Sequence, residues 1–138
     1  GACHAMNQHV PPISEPIGDE HRAAGWETVE AADFRFFLAA MQTHMAHDSY
    51  ASPNSKLNDG VINIDFVRGK RCCTPCTMLD FLLGMEEGAH VKNSARENAV
   101  AVAFRLEVNS GIVDIDGEVV ECEPMQLEVH PGVLTMMA

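Results

Sequence analysis

The sequence predicts an antiparallel, β-rich domain with one buried helix, and three observations predict it. About seven short stretches are rich in Val, Ile, Leu and Phe and carry the two-residue alternation of half-buried strands. Turn pairs punctuate them, as at Asp59-Gly60, Asp116-Gly117 and Pro131-Gly132, and Asp-Gly tolerates the positive φ of a tight turn. One stretch alone carries helix punctuation at both ends. With 138 residues, 46% of them hydrophobic, the chain suffices for one domain, or one piece of a larger one, with a real core.

Residues 1–25 hold Pro11, Pro12, Pro16 and Gly18 among scattered charges without periodicity. They read as a flexible lead-in or the end of an insertion, with the domain proper over 26–138. Residues 26–30, from Trp26, alternate and are long enough for a short strand. Over 33–43, Phe34, Phe36 and Leu38 alternate as in a strand, while Ala39, Ala40 and Met41 suit a helix equally; the strand is favoured. Residues 50–60 form a loop, and 61–68 a strand with Ile62, Ile64 and Phe66 on one face. The helix begins with Thr74 as N-cap and Pro75 in its first turn, and Gly88 supplies its stop.

Along that helix Met78, Leu82 and Met85 form one apolar stripe, Leu79 and Leu83 a second, and Phe81 widens the surface. So broad an apolar face implies burial on more than one side. Two roles fit it: a helix wedged on a sheet, or the wall of an apolar ligand pocket, for which methionine is well adapted. Residues 98–108 read as one strand buried through Val100, Val102, Phe104 and Leu106. Residues 111–115 pair through Asp116-Gly117 with 118–122, and 126–130 and 133–137 supply the last two strands.

Lys and Arg number 9 against 20 Asp and Glu, a formal net charge of -11. Nucleic-acid binding and polybasic docking on anionic lipid are thereby disfavoured. No apolar run approaches the ~18–20 residues that span a bilayer, and the first residues lack the pattern of a secretory signal. Five cysteines, Cys3, Cys72, Cys73, Cys76 and Cys122, in irregular spacing fit reduced, cytosolic usage. Cys72, Cys73 and Cys76 invite a zinc reading with His44 and His47, yet a second cysteine pair is missing. Buried or half-buried structural thiols near the helix start are the preferred reading, and no metal site is expected there. At the Asp116-Gly117 turn, Asp116 and Glu118 flank a bare glycine backbone: an ordinary hairpin, or an edge suited to phosphate or a divalent metal.

Several stretches, weak singly, are specific in their order and spacing: Trp26-Glu-Thr-Val-Glu-Ala-Ala-Asp-Phe34, Ala51-Ser-Pro53 with Asp59-Gly60, Phe81-Leu-Leu-Gly-Met-Glu-Glu-Gly-Ala-His90, Val102-Ala-Phe-Arg-Leu106, Val113-Asp-Ile-Asp-Gly-Glu118 and Val129-His-Pro-Gly132. From Trp26 onward the chain resembles the C-terminal part of sphingosine kinases, within the diacylglycerol kinase-like lipid kinases; residues before Trp26 fall outside the resemblance. The resemblance implies an antiparallel β-sandwich, the incomplete second domain of the NAD kinase/diacylglycerol kinase-like fold. It implies ATP-dependent phosphorylation of the primary hydroxyl of a sphingoid long-chain base, with a ceramide- or diacylglycerol-type lipid kinase as the alternative. A non-catalytic lipid- or protein-binding sandwich is the reading from a different class.

The Ser-Gly-Asp-Gly loop of such kinases does not occur in this sequence, so no catalytic residue is expected here and the chain alone is expected to be inactive. The resemblance places Asp116, Gly117 and Glu118 at the nucleotide cleft, toward ATP and Mg²⁺. It places Met78, Phe81, Leu82, Met85 and His90 on the lipid-pocket wall, with Phe66 and Phe104 contributing from strands. His90 has a second reading, a histidine closing the helix end, and His130, before Pro131, reads as structural. The acidic partner of a sphingoid amine is expected outside this chain. The family also implies a cytoplasmic protein in transient contact with membrane surfaces.

Overall fold

The computed structural model describes residues 10–29, 33–71 and 74–133. They are mainly antiparallel β-structure with few helices, as expected, and fall into two compact units. One comprises Gly1–Val29 with Ala103–Glu128, the other Glu30–Val102 with Val129–Ala138.

The larger unit is built on a three-stranded antiparallel sheet of β1 (Phe34–Ala40), β2 (Ile62–Arg68) and β3 (Arg96–Ala101), with β2 in the middle. Residues 33–43 are thus resolved in favour of the strand. Phe37 pairs with Phe66 and Leu38 with Asp65 on one side of β2, and Asp65 pairs with Asn98 on the other. Strand β2 is covered on both faces and is buried from Ile62 to Val67. Ile62, Ile64 and Phe66 share one face as expected; Asn63, Asp65 and Val67 point to the opposite one and are buried too.

Helix α2 (Pro75–Leu83) covers that second face. Thr74 caps it by accepting the Thr77 N–H at 3.2 Å, and Pro75 opens it, both as read from sequence. Its end differs: the helix closes at Gly84, whose N–H donates to Asp80 O, rather than at Gly88. Gly88, at φ 73, instead starts a 3₁₀ turn, Ala89–Lys92. A Cβ on Gly88 would lie 2.8 Å from the Tyr50 ring and 2.9 Å from Pro53. The glycine is therefore demanded by close approach as well as by backbone conformation.

Between sheet and helix lies a core of Ala51, Val67, Phe81, Met85 and Ala95, with Phe36, Leu38 and Met78 packed against it. Burial of α2 on more than one side is not found. Leu79 is 57% exposed, Leu82 44% and Leu83 60%, because only the Phe81 side of the helix is packed into the core.

The expected strand over 98–108 is two strands. β3 ends at Ala101, and β4 (Ala103–Leu106) pairs with β7 (Met125–Glu128) in the smaller unit. Val100 and Val102 are exposed rather than buried. Val100 pairs with Asn63 and shares the exposed side of the edge strand β3 with Asn98. Residues 26–29 are irregular, against the expected strand, and Glu30 lies outside the described residues. So does the expected final strand beyond Val133.

In the smaller unit, β5 (Val113–Ile115) and β6 (Glu118–Val120) form the expected hairpin, shorter at both ends. The part of the lead-in that is described holds a short helix, α1 (Asp19–Ala23). It also meets Arg105 of β4, whose guanidinium donates to the carbonyls of Pro12, at 2.9 Å, and Glu15, and to Gln126 Oε1.

Candidate functional site

Two groups of expected site residues lie in different units. The hairpin turn has φ 53 at Asp116 and φ 91 at Gly117, the paired positive angles of a tight two-residue turn. The Gly117 N–H does not face solvent freely; it donates to Asp114 Oδ1 at 3.0 Å. The residues from 114 to 118 are exposed. No Lys or Arg follows Arg105 in the chain, while Asp114, Asp116, Glu118, Glu121 and Glu123 all cluster in sequence here. Exposed carboxylates with an engaged glycine N–H suit a hydrated divalent cation, which takes one or two carboxylates and keeps its waters. They do not suit a bare phosphate, which they would repel.

Of the expected pocket residues, the larger unit brings Phe81, Met85 and His90 together. Phe81 is fully buried, its ring 5.2 Å from that of Phe36 and 5.5 Å from that of His90, both edge-to-face. Met78 is half-buried at the margin of this core, and Leu82 points to solvent. Phe66 sits on the far face of the sheet, edge-on to Phe34 at 5.7 Å, so the sheet separates it from Phe81. Phe104 lies on β4 of the smaller unit, paired with Leu127.

His90 is 1% exposed, with Ala51 O at 3.0 Å from Nε2 and Gly84 O at 3.3 Å from Nδ1, and its neutral ring donates to one of these two carbonyls. The second contact is at the helix end, where the alternative reading placed this residue. His90 also borders a hollow of about 260 Å³ shared with Asp80, Leu83, Gly84, Lys92 and Asn93. Asn93 Nδ2 donates to Asp80 Oδ2 there at 3.0 Å.

The sequence reading missed the charged group behind His90. Asp65, 2% exposed, accepts at Oδ1 from Arg96 Nη2 at 2.6 Å and from Asn98 Nδ2 at 2.7 Å. Its Oδ2 lies 3.9 Å from His90 Nε2, and neither Oδ2 nor Arg96 Nε has a hydrogen-bond partner among the described residues. The available signal was an Asp and an Asn inside the apolar run 62–67, followed by an Arg in the strand that pairs with it. On the opposite face Glu97 bonds Arg68, at 2.7 Å through Nε. That hydrogen bond holds the Glu97 carboxyl below its ordinary range and raises the Arg68 guanidinium.

Cys72 and Cys73 lie outside the described residues; Cys76 is exposed, against the buried or half-buried thiol expected, because it stands in the first turn of α2 beside Thr74 and Pro75, which are exposed too. Glu15, Glu20 and His21 bring ligand atoms within 4.8 Å of one another. His21 Nδ1, however, accepts from the Gly18 N–H at 3.1 Å, so in the neutral ring the proton sits on Nε2, which faces Glu15 at 3.5 Å. No lone pair remains there for a metal. Among the described residues no helix is long and apolar enough to cross a membrane.

A family model described as the YegS C-terminal NAD kinase beta sandwich-like domain matches residues 28–138. Sphingosine kinase 2 of Homo sapiens is 32% identical over 98% of the chain, which covers 20% of that protein. Sphingosine kinase 1 of Mus musculus is 30% identical over 96% of the chain and 34% of its own length. Sphingoid long chain base kinase 5 of Saccharomyces cerevisiae is 24% identical over 86% of the chain and 18% of its own length. The first two likenesses run ahead of Trp26, beyond the limit read from the motifs. The chain thus spans between about a fifth and a third of these curated relatives.

Proposed function

The chain belongs to the YegS C-terminal NAD kinase β-sandwich-like family, and from that premise we propose that it is the lipid-holding portion of a sphingosine kinase, phosphorylating the primary hydroxyl of sphingoid long-chain bases with ATP. One observation carries this reading: likeness to kinases named for that substrate covers nearly the whole chain, while the chain covers only a minor part of each. The core chemistry supports it. Phe81, Met85 and the half-buried Met78 offer an adaptable apolar wall, and burial of each lipid methylene contributes about 0.8 kcal/mol.

The hairpin of Asp116, Gly117 and Glu118 supplies the nucleotide edge. Its carboxylates are of the type that hold Mg²⁺ through water, and the ion would neutralise charge on the ATP phosphates. Asp114 braces the turn by holding the Gly117 N–H. The general base lies outside this sequence, which contains no Ser-Gly-Asp-Gly. The protein is cytoplasmic in this reading, and meets membrane surfaces only to exchange its lipid.

The test is binding of sphingosine by the 138-residue chain, followed by competition against a fluorescently tagged analogue. Saturable binding that Phe81→Ser weakens, with a circular-dichroism melt showing the variant folded, is expected. Absence of saturable binding by the unaltered chain would overturn the reading.

A further inference from the structure

The ion pair behind His90 has a chemistry that the fold does not need. A buried pair serves packing best when its fork is closed, with two guanidinium N–H groups on two carboxylate oxygens. Here Arg96 reaches Asp65 through Nη2 and Oδ1 alone. Asp65 Oδ2, an acceptor, and Arg96 Nε–H, a donor, belong to the same pair and are both buried without partners among the described residues. Leaving two such groups unbonded is costly, and each calls for a complement.

The identity of that complement follows from charge and valence. Asp65 is already neutralised by Arg96, so an ammonium would leave net positive charge in a buried site and would offer nothing to Arg96 Nε. A carboxylate or phosphate accepts but cannot donate to Oδ2. A neutral group that both donates and accepts meets the two needs, and a hydroxyl does so at a single oxygen: its O–H donates to Oδ2 while its oxygen accepts from Nε–H. The surroundings are apolar on the helix side, where Val67, Phe81 and Met85 pack, and polar toward His90, whose Nε2 is 3.9 Å from Oδ2, and toward Asn98, whose Nδ2 donates to Oδ1 at 2.7 Å.

We propose that Asp65 and Arg96 form a specificity site for a hydroxyl carried within the hydrocarbon portion of the bound lipid, separate from the hydroxyl that is phosphorylated. The inference rests on the lipid-holding reading above and deepens it: the preferred ligands are long-chain bases with an additional neutral hydroxyl. The amine is not recognised here.

The test compares sphinganine with its counterparts bearing one added hydroxyl at C4, C8 or C12, each competing for the 138-residue chain against fluorescently tagged sphinganine. At least one hydroxylated base is expected to bind about tenfold more tightly than sphinganine, the order of effect of satisfying a buried polar site. In the double variant Asp65→Leu/Arg96→Met, which removes both charges together, sphinganine still binds and the preference disappears. Equal affinities across the set for the unaltered chain, or a preference that survives in the double variant, would overturn the proposal while leaving lipid binding intact; either result is what a buried water satisfying the pair would give. Failure of every base to bind would instead remove the lipid-holding reading, and this proposal with it. The comparison on the unaltered chain decides the matter if the double variant does not fold.

Discussion

Removing Arg96 alone leaves the Asp65 carboxylate buried with Asn98 as its remaining partner. Arg96→Met should therefore cost about 3–5 kcal/mol in urea denaturation, whereas adding Asp65→Leu should recover much of the loss because no uncompensated charge remains. A single variant as stable as the unaltered chain would show that the pair does not hold the core. Glu97 gives a second, pH-dependent expectation. Its carboxyl titrates below its unfolded value because Arg68 bonds it, so its contribution is present above the unfolded pKa and is lost as pH falls through the lower folded one. The difference in Tm between the unaltered chain and Glu97→Gln should shrink as pH drops from 6 toward 3; a constant gap would refute the assignment. Residue-level legibility divides along the same line. The resemblance, not helical spacing, grouped Phe81, Met85 and His90; the stripe read from spacing, Met78, Leu82 and Met85, is divided, with Met85 buried and Leu82 exposed. Asp65 escaped because strand alternation assigns polar residues to solvent, and a central strand covered on both faces has no solvent to offer them.

At the scale of elements, punctuation read from sequence located starts better than stops. Thr74 and Pro75 fix the opening of α2, since cap and first-turn chemistry are local. Its end is set by a tertiary event: the chain must turn so that the His90 N–H reaches Gly84 O at 3.1 Å and Tyr50 and Pro53 close on Gly88. Local propensity has no view of that contact. Likewise β3 and β4 form one continuous apolar run in sequence, and only pairing with β2 and with β7 breaks it at Val102. Gly88→Ala follows from this geometry, with both a left-handed φ of 73 and ring atoms 2.8 Å from the added Cβ. It should destabilise the chain by about 1–3 kcal/mol in urea. A loss below about 0.5 kcal/mol would mean that the turn relaxes and does not pin the helix end.

For the molecule as a whole, the antiparallel β-rich class was legible because strand periodicity and turn pairs are distributed along its length. The division into units was not, since it depends on which distant strands pair. Function divides between the units in the same way: the carboxylate hairpin lies in one and the apolar core with His90 in the other. Phosphoryl transfer needs a positioned hydroxyl, a base to receive its proton, and positive charge on the phosphates. This chain carries a net charge of -11 and has no Lys or Arg beyond Arg105, so its hairpin unit offers carboxylates to a metal but few cations to ATP. Holding Mg²⁺ through water contributes to charge neutralisation but not to deprotonation of the lipid. The purified 138-residue chain, given sphingosine, Mg²⁺ and radiolabelled ATP, should therefore bind lipid yet transfer no label above the protein-free background. Any transfer that scales with chain concentration, and that Glu118→Ala diminishes, would place a complete active site within these residues and overturn the division of labour.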